Sequence, residues 1–579
     1  MNYCSIIRNY CVKAKPKLSR SGRSKNFSAK KAVDLTEDIS RESHTFDQII
    51  GQRAAQARKT VVIQVGSRKS AGDVHRLLST FGDISEFYHY KTPNDNFILA
   101  EMADRGTASE ILKSAVYTQE VSVVPVRSRF LWLKSNGSLN HEEVPNRPIP
   151  IQSFEPPDSQ SLTEALLSCN DVSSQMELFY GKTKLTELEI RLRFLVCDQV
   201  ESAFKGIFPN GRVVPFGSSV NGCGRSGTDL DMVFECYNNV TKVKEGTSGR
   251  LIFHAKTAIA NNRPLSKHHM EIMADILKGF LPGPSQIRRI LNARVPIIKF
   301  LHEYTNVECD LSSLNMTGFY MSELLYLYGE VDSRFRPLIF TVRHWAKEVL
   351  LTSDHPGQQI TNFSLTLLVI YFLQTRALPI LPTLGSLIKG SATEDVRSTE
   401  GIDCTFVRDL RRIEKSENPA ALQDLLVDFF NFLSTFPFDE RGISIITGKP
   451  IVKKEKCAIL IQNPLERDLN VTKNVDMVNL RKLVNEAQSA KKSLSNLGRN
   501  DKTFWGLLSF KSSNVKVLRN RTPVCVENKE EIKTKKIETE IRELDPVVKS
   551  ALEKMKSRAK LSTQTIKTSD RKRTVVWKY

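Results

Sequence analysis

From residue 216 to 234 the chain reads Phe-Gly-Ser-Ser-Val-Asn-Gly-Cys-Gly-Arg-Ser-Gly-Thr-Asp-Leu-Asp-Met-Val-Phe. Asp229 and Asp231 lie next to an apolar run, Leu230 to Phe234. Side chains on a strand alternate, so both carboxylates project from one face while Leu230 and Met232 take the other. At that spacing two such charges repel by roughly 2 to 4 kcal/mol at an effective dielectric of about 20. A cation relieves the repulsion, and hard oxygen ligands on a rigid strand suit Mg²⁺, which keeps waters and takes further ligands from substrate phosphates. A solvated edge strand is the plain alternative. It accounts poorly for an Asp-x-Asp that follows a glycine-rich turn and is set among Leu, Met, Val and Phe.

Two other readings of the glycines fail on chemistry. Gly217 to Gly222 has phosphate-loop spacing, but Cys223-Gly224 stands where Lys and Ser or Thr must follow. Gly222, Gly224 and Gly227 form G-x-G-x-x-G, yet a strand follows where a dinucleotide site needs a helix. The elements that must position the carboxylates are therefore a short strand at Val213-Val214, the turn from Gly217, and the strand after Asp229. A helix opening at Thr186, with Glu189 as its capping-box partner, presents Leu188, Leu192, Leu195, Val196 and Ala203 on one face. Further helices are predicted over 323–327, 335–351, 364–374 and 422–433 from their apolar period.

Gly217-Ser218, a spacer, and Asp229-Leu230-Asp231 resemble the DNA polymerase β-like nucleotidyltransferases, in the branch that tails RNA without a template. The resemblance runs over most of residues 185–475 through Ser322-Glu323-Leu324-Leu325, Arg334 to Leu338, Val342 to Lys347, Thr361 to Leu373 and Ile461 to Pro464. The pattern is similar to that of the mitochondrial noncanonical poly(A) polymerases. The implied fold is α+β: a nucleotidyltransferase sheet (the palm) over 180–320 and a helical central domain over 321–475, with part of 160–200 packed on it. The implied reaction moves AMP from ATP to an RNA 3′ hydroxyl. A uridylyltransferase, or a non-catalytic RNA-binding subunit, is the alternative. The family pattern supplies a third carboxylate, Asp310, in Val307 to Leu311, with Glu308 as the other candidate. It implies two ions, Mg²⁺ or Mn²⁺, on Asp229, Asp231 and Asp310. It also places Gly217, Ser218, Arg343 and Lys347 at the triphosphate and Phe363 under the base. Met321-Ser322 stands where relatives often carry an Asn that reads the ribose.

Residues 59–133 read as βαββαβ, with a last strand at 121–126, and resemble an RNA-recognition motif. The strand Phe97 to Met102 carries one aromatic, Phe97, for base stacking. Packing or self-association, including a homodimer through this unit, is as good a use for it as reading RNA. The chain has 579 residues and a net charge of +20, but 1–33 and 549–579 contribute +9 and +8, which leaves +3 for everything between. The folded body is close to neutral, so composition argues only weakly for nucleic acid. Residues 1–33 hold nine Lys or Arg, no acid and five Ser, the composition of a mitochondrial transit peptide, which sets the expected address as the matrix. Residues 510–579 are expected to be a basic disordered tail. Ten cysteines show no metal-ligand spacing, and no apolar run is long enough to span a membrane.

Overall fold

The computed structural model describes residues 45–118, 123–134, 151–153, 158–235, 263–313, 315–353, 357–495 and 505–510. The expected leader at 1–33 and nearly all of the expected tail lie outside the described residues.

The chain is α+β, with two five-stranded sheets and a helical layer. The first sheet contains β1 (Thr60–Val65), β2 (Ile84–Lys91), β3 (Asn96–Met102), β4 (Phe130–Trp132) and β5 (Gln152–Ser153) in the order β4-β1-β3-β2-β5. Ahead of it stands α1 (Phe46–Lys59), capped by Thr45 and Gln48, a helix that the sequence reading did not place. Helices α2 (Ala71–Ser79) and α3 (Arg105–Ser114) cover one face through Val74, Leu78, Ala108 and Ile111, against Val61, Ile63, Ile98 and Ala100. The closing strand expected at 121–126 falls partly outside the described residues, and its described part forms no strand. Residues 123–126 have no regular structure, while Phe130–Trp132 pairs parallel to β1. A parallel join needs a long return to the start of the first strand, and the valines of 123–126 fall in that return.

The other face of this sheet is also buried. Val62, Tyr88, Tyr90, Phe97 and Leu99 pack on Leu188, Leu192 and Leu195 of α6 (Glu187–Phe204). Tyr90 stacks on Phe97 and donates its hydroxyl to the Tyr304 carbonyl at 2.9 Å. Arg191 of α6 pairs with the buried Glu101 of β3. The aromatics that could have stacked on bases are thus spent on a protein contact.

Between α3 and α6 come α4 (Ser159–Leu167) and α5 (Val172–Thr183). The second sheet runs β6-β7-β10-β9-β8, from β6 (Arg212–Phe216), β7 (Leu230–Glu235), β8 (Pro284–Ile290), β9 (Ile297–His302) and β10 (Val307–Ser313). Only β7 and β10 pair parallel in it. Leu230, Met232, Phe234, Cys309 and Leu311 face α6 and α7 (Arg263–Gly279), where Val196, Val200, Phe204, Met270, Met273 and Leu277 complete a core. The opposite face carries the charges.

The helical layer holds α8 (Met316–Val331), α9 (Phe335–Glu348), α10 (Asn362–Gln374), α11 (Leu384–Lys389), α12 (Leu422–Thr435) and α13 (Met477–Ser495). From Ser364 to Gln374 every residue of α10 is buried, which places it at the centre of the layer. Helices α4 and α5 and the segment Gly506–Ser509 share its core. Among the described residues no helix is long and apolar enough to cross a membrane.

Because Phe97 is packed on α6, Phe97→Leu should lower unfolding free energy by about 1 to 3 kcal/mol while leaving RNA affinity at the parent value. Chemical denaturation beside fluorescence anisotropy measures both. Lost affinity at unchanged stability would return the face to RNA reading.

Candidate active site

Strand β6 ends at Phe216, opposite Asp231 of β7, and the chain turns at once. Gly217 makes that turn at φ +68, and a Cβ there would collide with Asp231 Oδ2. Glycine is needed for the dihedral and for the close approach. The Gly217 amide donates to Ser322 Oγ (2.7 Å), whose own hydroxyl donates to the Gly318 carbonyl (2.7 Å). Ser322 thus braces the loop from α8. The neighbouring Glu323 fixes α8 by a two-pronged pair with Arg408, at 2.8 and 2.9 Å.

The loop is also tied to the start of α6. Leu185 N donates to the Gly224 carbonyl (3.0 Å), Ser226 N to the Thr183 carbonyl (3.0 Å), and Ser226 Oγ to Glu189 (3.0 Å). Glu189 is at the same time the capping-box partner of Thr186. The buried Arg193 donates to the carbonyl of Thr228 at 2.6 Å, directly before Asp229. Where Asp229 stands is therefore decided by α6.

Asp310 is the register partner of Asp231 across the parallel β7–β10 pair, and Lys299 of β9 is its partner on the other side. Lys299 Nζ lies 3.2 Å from Asp310 Oδ1, donates to Oδ2 at 3.3 Å, and stands 3.6 Å from Glu308. Glu308 shares that face but is exposed, so Asp310 is the acid that meets Asp231. Burial, then the charges of Asp229 and Asp310, push the Asp231 carboxyl up to about 7. Burial also raises Asp310, with Lys299 opposing.

Among the described residues no three acid, His or Cys side chains already converge on one ion-sized point. The donor set nevertheless fits a divalent cation. All three groups are carboxylates, Asp310 Oδ1 is buried beside the Lys299 ammonium that Oδ2 also shares, and one lysine does not balance three acids.

The other predicted residues divide. Ser218 is half-exposed beside Gly217, and Lys347 is exposed on α9. Phe363, near the start of α10, is half-buried against the helical core and keeps an open side. Arg343 is not offered to a ligand in the same way. Its Nη1 donates to the Cys223 carbonyl and its Nη2 to Thr366 Oγ1, both at 2.8 Å, and burial lowers its pKa. It holds the loop from behind.

Sequence reasoning missed Lys299, Arg193 and Arg225. The Arg225 guanidinium lies 5.6 Å from the Phe179 ring, near His344, whose pKa falls to about 4 through burial and then the charges of Arg225 and Lys347. A basic residue inside the Gly-Ser to Asp-x-Asp spacer was the available signal for Arg225. Lys299 required the β9–β10 register.

Comparison with known proteins agrees with this geometry. Residues 172–330 match the family described as "Poly(A) RNA polymerase, mitochondrial-like, central palm domain". The chain is 40% identical to the mitochondrial poly(A) RNA polymerase of Drosophila melanogaster over 499 residues, covering 84% of this chain and 79% of that protein. It belongs to the mitochondrial poly(A) RNA polymerase family. The human member is 35% identical over 450 residues, covering 77% of this chain and 76% of its own length. The crystal structure of mtPAP in apo form superposes with a TM-score of 0.74 at 34% identity, over 81% of this chain and 99% of that one. The crystal structure of mtPAP in complex with ATPγS gives 0.72 at 34% identity over the same shares. Membership makes this chain a template-independent nucleotidyltransferase that adds adenylate to RNA, and proteins of this fold generally use divalent metals.

The raised Asp231 carboxyl gives a stability prediction. A folded pKa of about 7, against an ordinary 3.8, means that the fold binds a proton which the unfolded chain has lost between those values, so stability falls as pH rises through that window. Asp231→Asn should therefore raise Tm without divalent cations at pH 8, and the gain should fade towards pH 5. Thermal melts at the two pH values check it. An equal shift at both would remove the carboxylate cluster as the cause.

Proposed function

We propose that Asp229, Asp231 and Asp310 hold two divalent ions, Mg²⁺ or Mn²⁺, and that the loop at Gly217 and Ser218 receives the ATP triphosphate. The observation that carries this reading is the pairing of Asp310 with Asp231 on the sheet face next to the close approach of Gly217. The ions, when bound, would lower the pKa of the RNA 3′ hydroxyl and neutralise the leaving pyrophosphate. The chain's own part is orientation. Gly217 brings backbone close to Asp231, Ser218 and Lys347 supply a hydroxyl and a cation for phosphate oxygens, and the half-buried Phe363 offers a ring for the base. Arg225, like Lys347, adds positive charge near His344. Asp310, the acid furthest along the chain from the loop, is assigned to the RNA hydroxyl.

The substrates proposed are mitochondrial transcripts and the place the matrix, in line with the names of the relatives and the composition of residues 1–33. ATP is favoured over UTP on the names of the relatives, since carboxylate chemistry is blind to the base. A homodimer through the first sheet would have to use its edges or its helices, because its second face is packed on α6.

Asp310→Asn should leave ATP affinity by calorimetry nearly intact while single-turnover extension falls at least about a hundredfold, whereas Asn at Asp229 or Asp231 should weaken both. Extension at the parent rate by the Asp310 variant would shift the assignment to Glu308. Removal of residues 1–33 should abolish import into isolated mitochondria and preserve activity in vitro, and unchanged import would refute the transit assignment.

A further inference from the structure

The loop from Gly217 to Cys223 belongs to the second sheet, but its far end is held by a helix of the helical layer. Arg336 and Arg343 lie seven residues apart on α9, two turns along one face. Arg343 reaches the Cys223 carbonyl at 2.8 Å. Arg336 approaches the residue before it. A Cβ built on Gly222 would stand 2.5 Å from Arg336 Nε and 2.8 Å from Cζ, and a Cβ built on Gly329 of α8 would stand 2.5 and 2.7 Å from the same atoms. The planar head of Arg336 thus lies in a slot between two glycines, one in the catalytic loop and one in α8. Its Nη2 pairs with Glu330 at 2.8 Å, the Tyr326 ring lies 5.5 Å away, and Nε is buried without a hydrogen-bond partner. A guanidinium packed this tightly is held by shape as well as by charge, and a lysine does not reproduce its planar fork.

Gly329 sharpens the point. It sits inside a helix with no positive φ, where alanine is the better helix former. Helix propensity does not explain a glycine there. Room for Arg336 does.

We infer that Arg336 is a positioning residue for adenylyl transfer: slotted between Gly222 and Gly329, it fixes the nucleotide loop to the helical layer, with Arg343 as the second point of attachment. The inference rests on the reading that Gly217 and Ser218 receive the triphosphate. A loop freed at Gly222 would let Ser218 and the approach of Gly217 to Asp231 drift, and a displacement of about 1 Å at reacting groups can cost up to about a hundredfold in rate.

The test uses the full chain, with steady-state extension of an oligonucleotide RNA at varied ATP, ATP calorimetry and thermal melts. Gly329→Ala should still fold, with Tm at or below the parent value because its Cβ crowds Arg336, and should lower kcat/KM for ATP by about tenfold or more. Arg336→Lys should lower kcat/KM comparably, and in that background Gly329→Ala should cost nothing further, because the planar head it obstructs is gone. Parent-like kinetics for either single variant, or an equal added loss from Gly329→Ala in both backgrounds, would overturn the proposal. Should Gly329→Ala not fold, Arg336→Lys paired with Ser218→Ala decides. A sub-additive effect on ATP KM supports action through the loop, and full additivity refutes it. Parent ATP affinity in Ser218→Ala alone would instead refute the triphosphate reading, leaving kcat of Arg336→Lys to decide the slot.

Discussion

The parallel pairing of β7 with β10 sets Asp310 against Asp231, and the rest of the catalytic half of the molecule bears the cost of keeping those like charges together. Water would screen them, but the turn at Gly217 presses backbone onto Asp231 and limits its access. Lys299 offsets part of the charge from the next strand. What remains uncompensated shows as a carboxyl raised to about 7. Local strain of this kind persists only where the surroundings over-determine the geometry. Here they do so through Arg193 at Thr228, Ser322 at Gly217 and Arg343 at Cys223, three hydrogen bonds from three different helices.

This layout separates two tasks that a loop could have combined. The front of the glycine turn, with Ser218 and the exposed Lys347, is left for ligand, while the back is closed by Arg343, whose Nη1 and Nη2 are already committed. Arg343 illustrates the difference. Its place in the sequence, four residues before Lys347 on one helix face, suggests two equivalent cations. Two hydrogen bonds at 2.8 Å make the first a structural tie, while the second stands exposed.

The strand-face placement of Asp229 and Asp231 was legible because alternation is a local property. The Thr186 capping box was legible for the same reason, since two residues three positions apart specify it. Asp310 could be placed only through family resemblance, because nothing within a few residues of it announces a partner about eighty positions away. Lys299 was not legible at all, as its role depends on the register of β9 against β10. The misplaced closing strand of the first sheet has a similar origin. Valine-rich residues 123–126 have the composition of a strand, but the chain must first travel back along the sheet, and the shorter Phe130–Trp132 pairs instead. Pairing partners far apart in sequence outweigh local preference.

Helix α6 is a wall shared by two rooms. One side closes the first sheet through Leu188, Leu192 and Leu195, the other closes the second through Val196, Val200 and Phe204, and its first turn grips the catalytic loop at Ser226. Sequence drift on such a wall is constrained from both sides at once. The aromatic pair Tyr90 and Phe97 is kept by adhesion to this helix. That sheet surface can be opened to base stacking only by detaching the helix that sets Asp229, so this face of the recognition-like module is committed to a fixed place in the enzyme's frame.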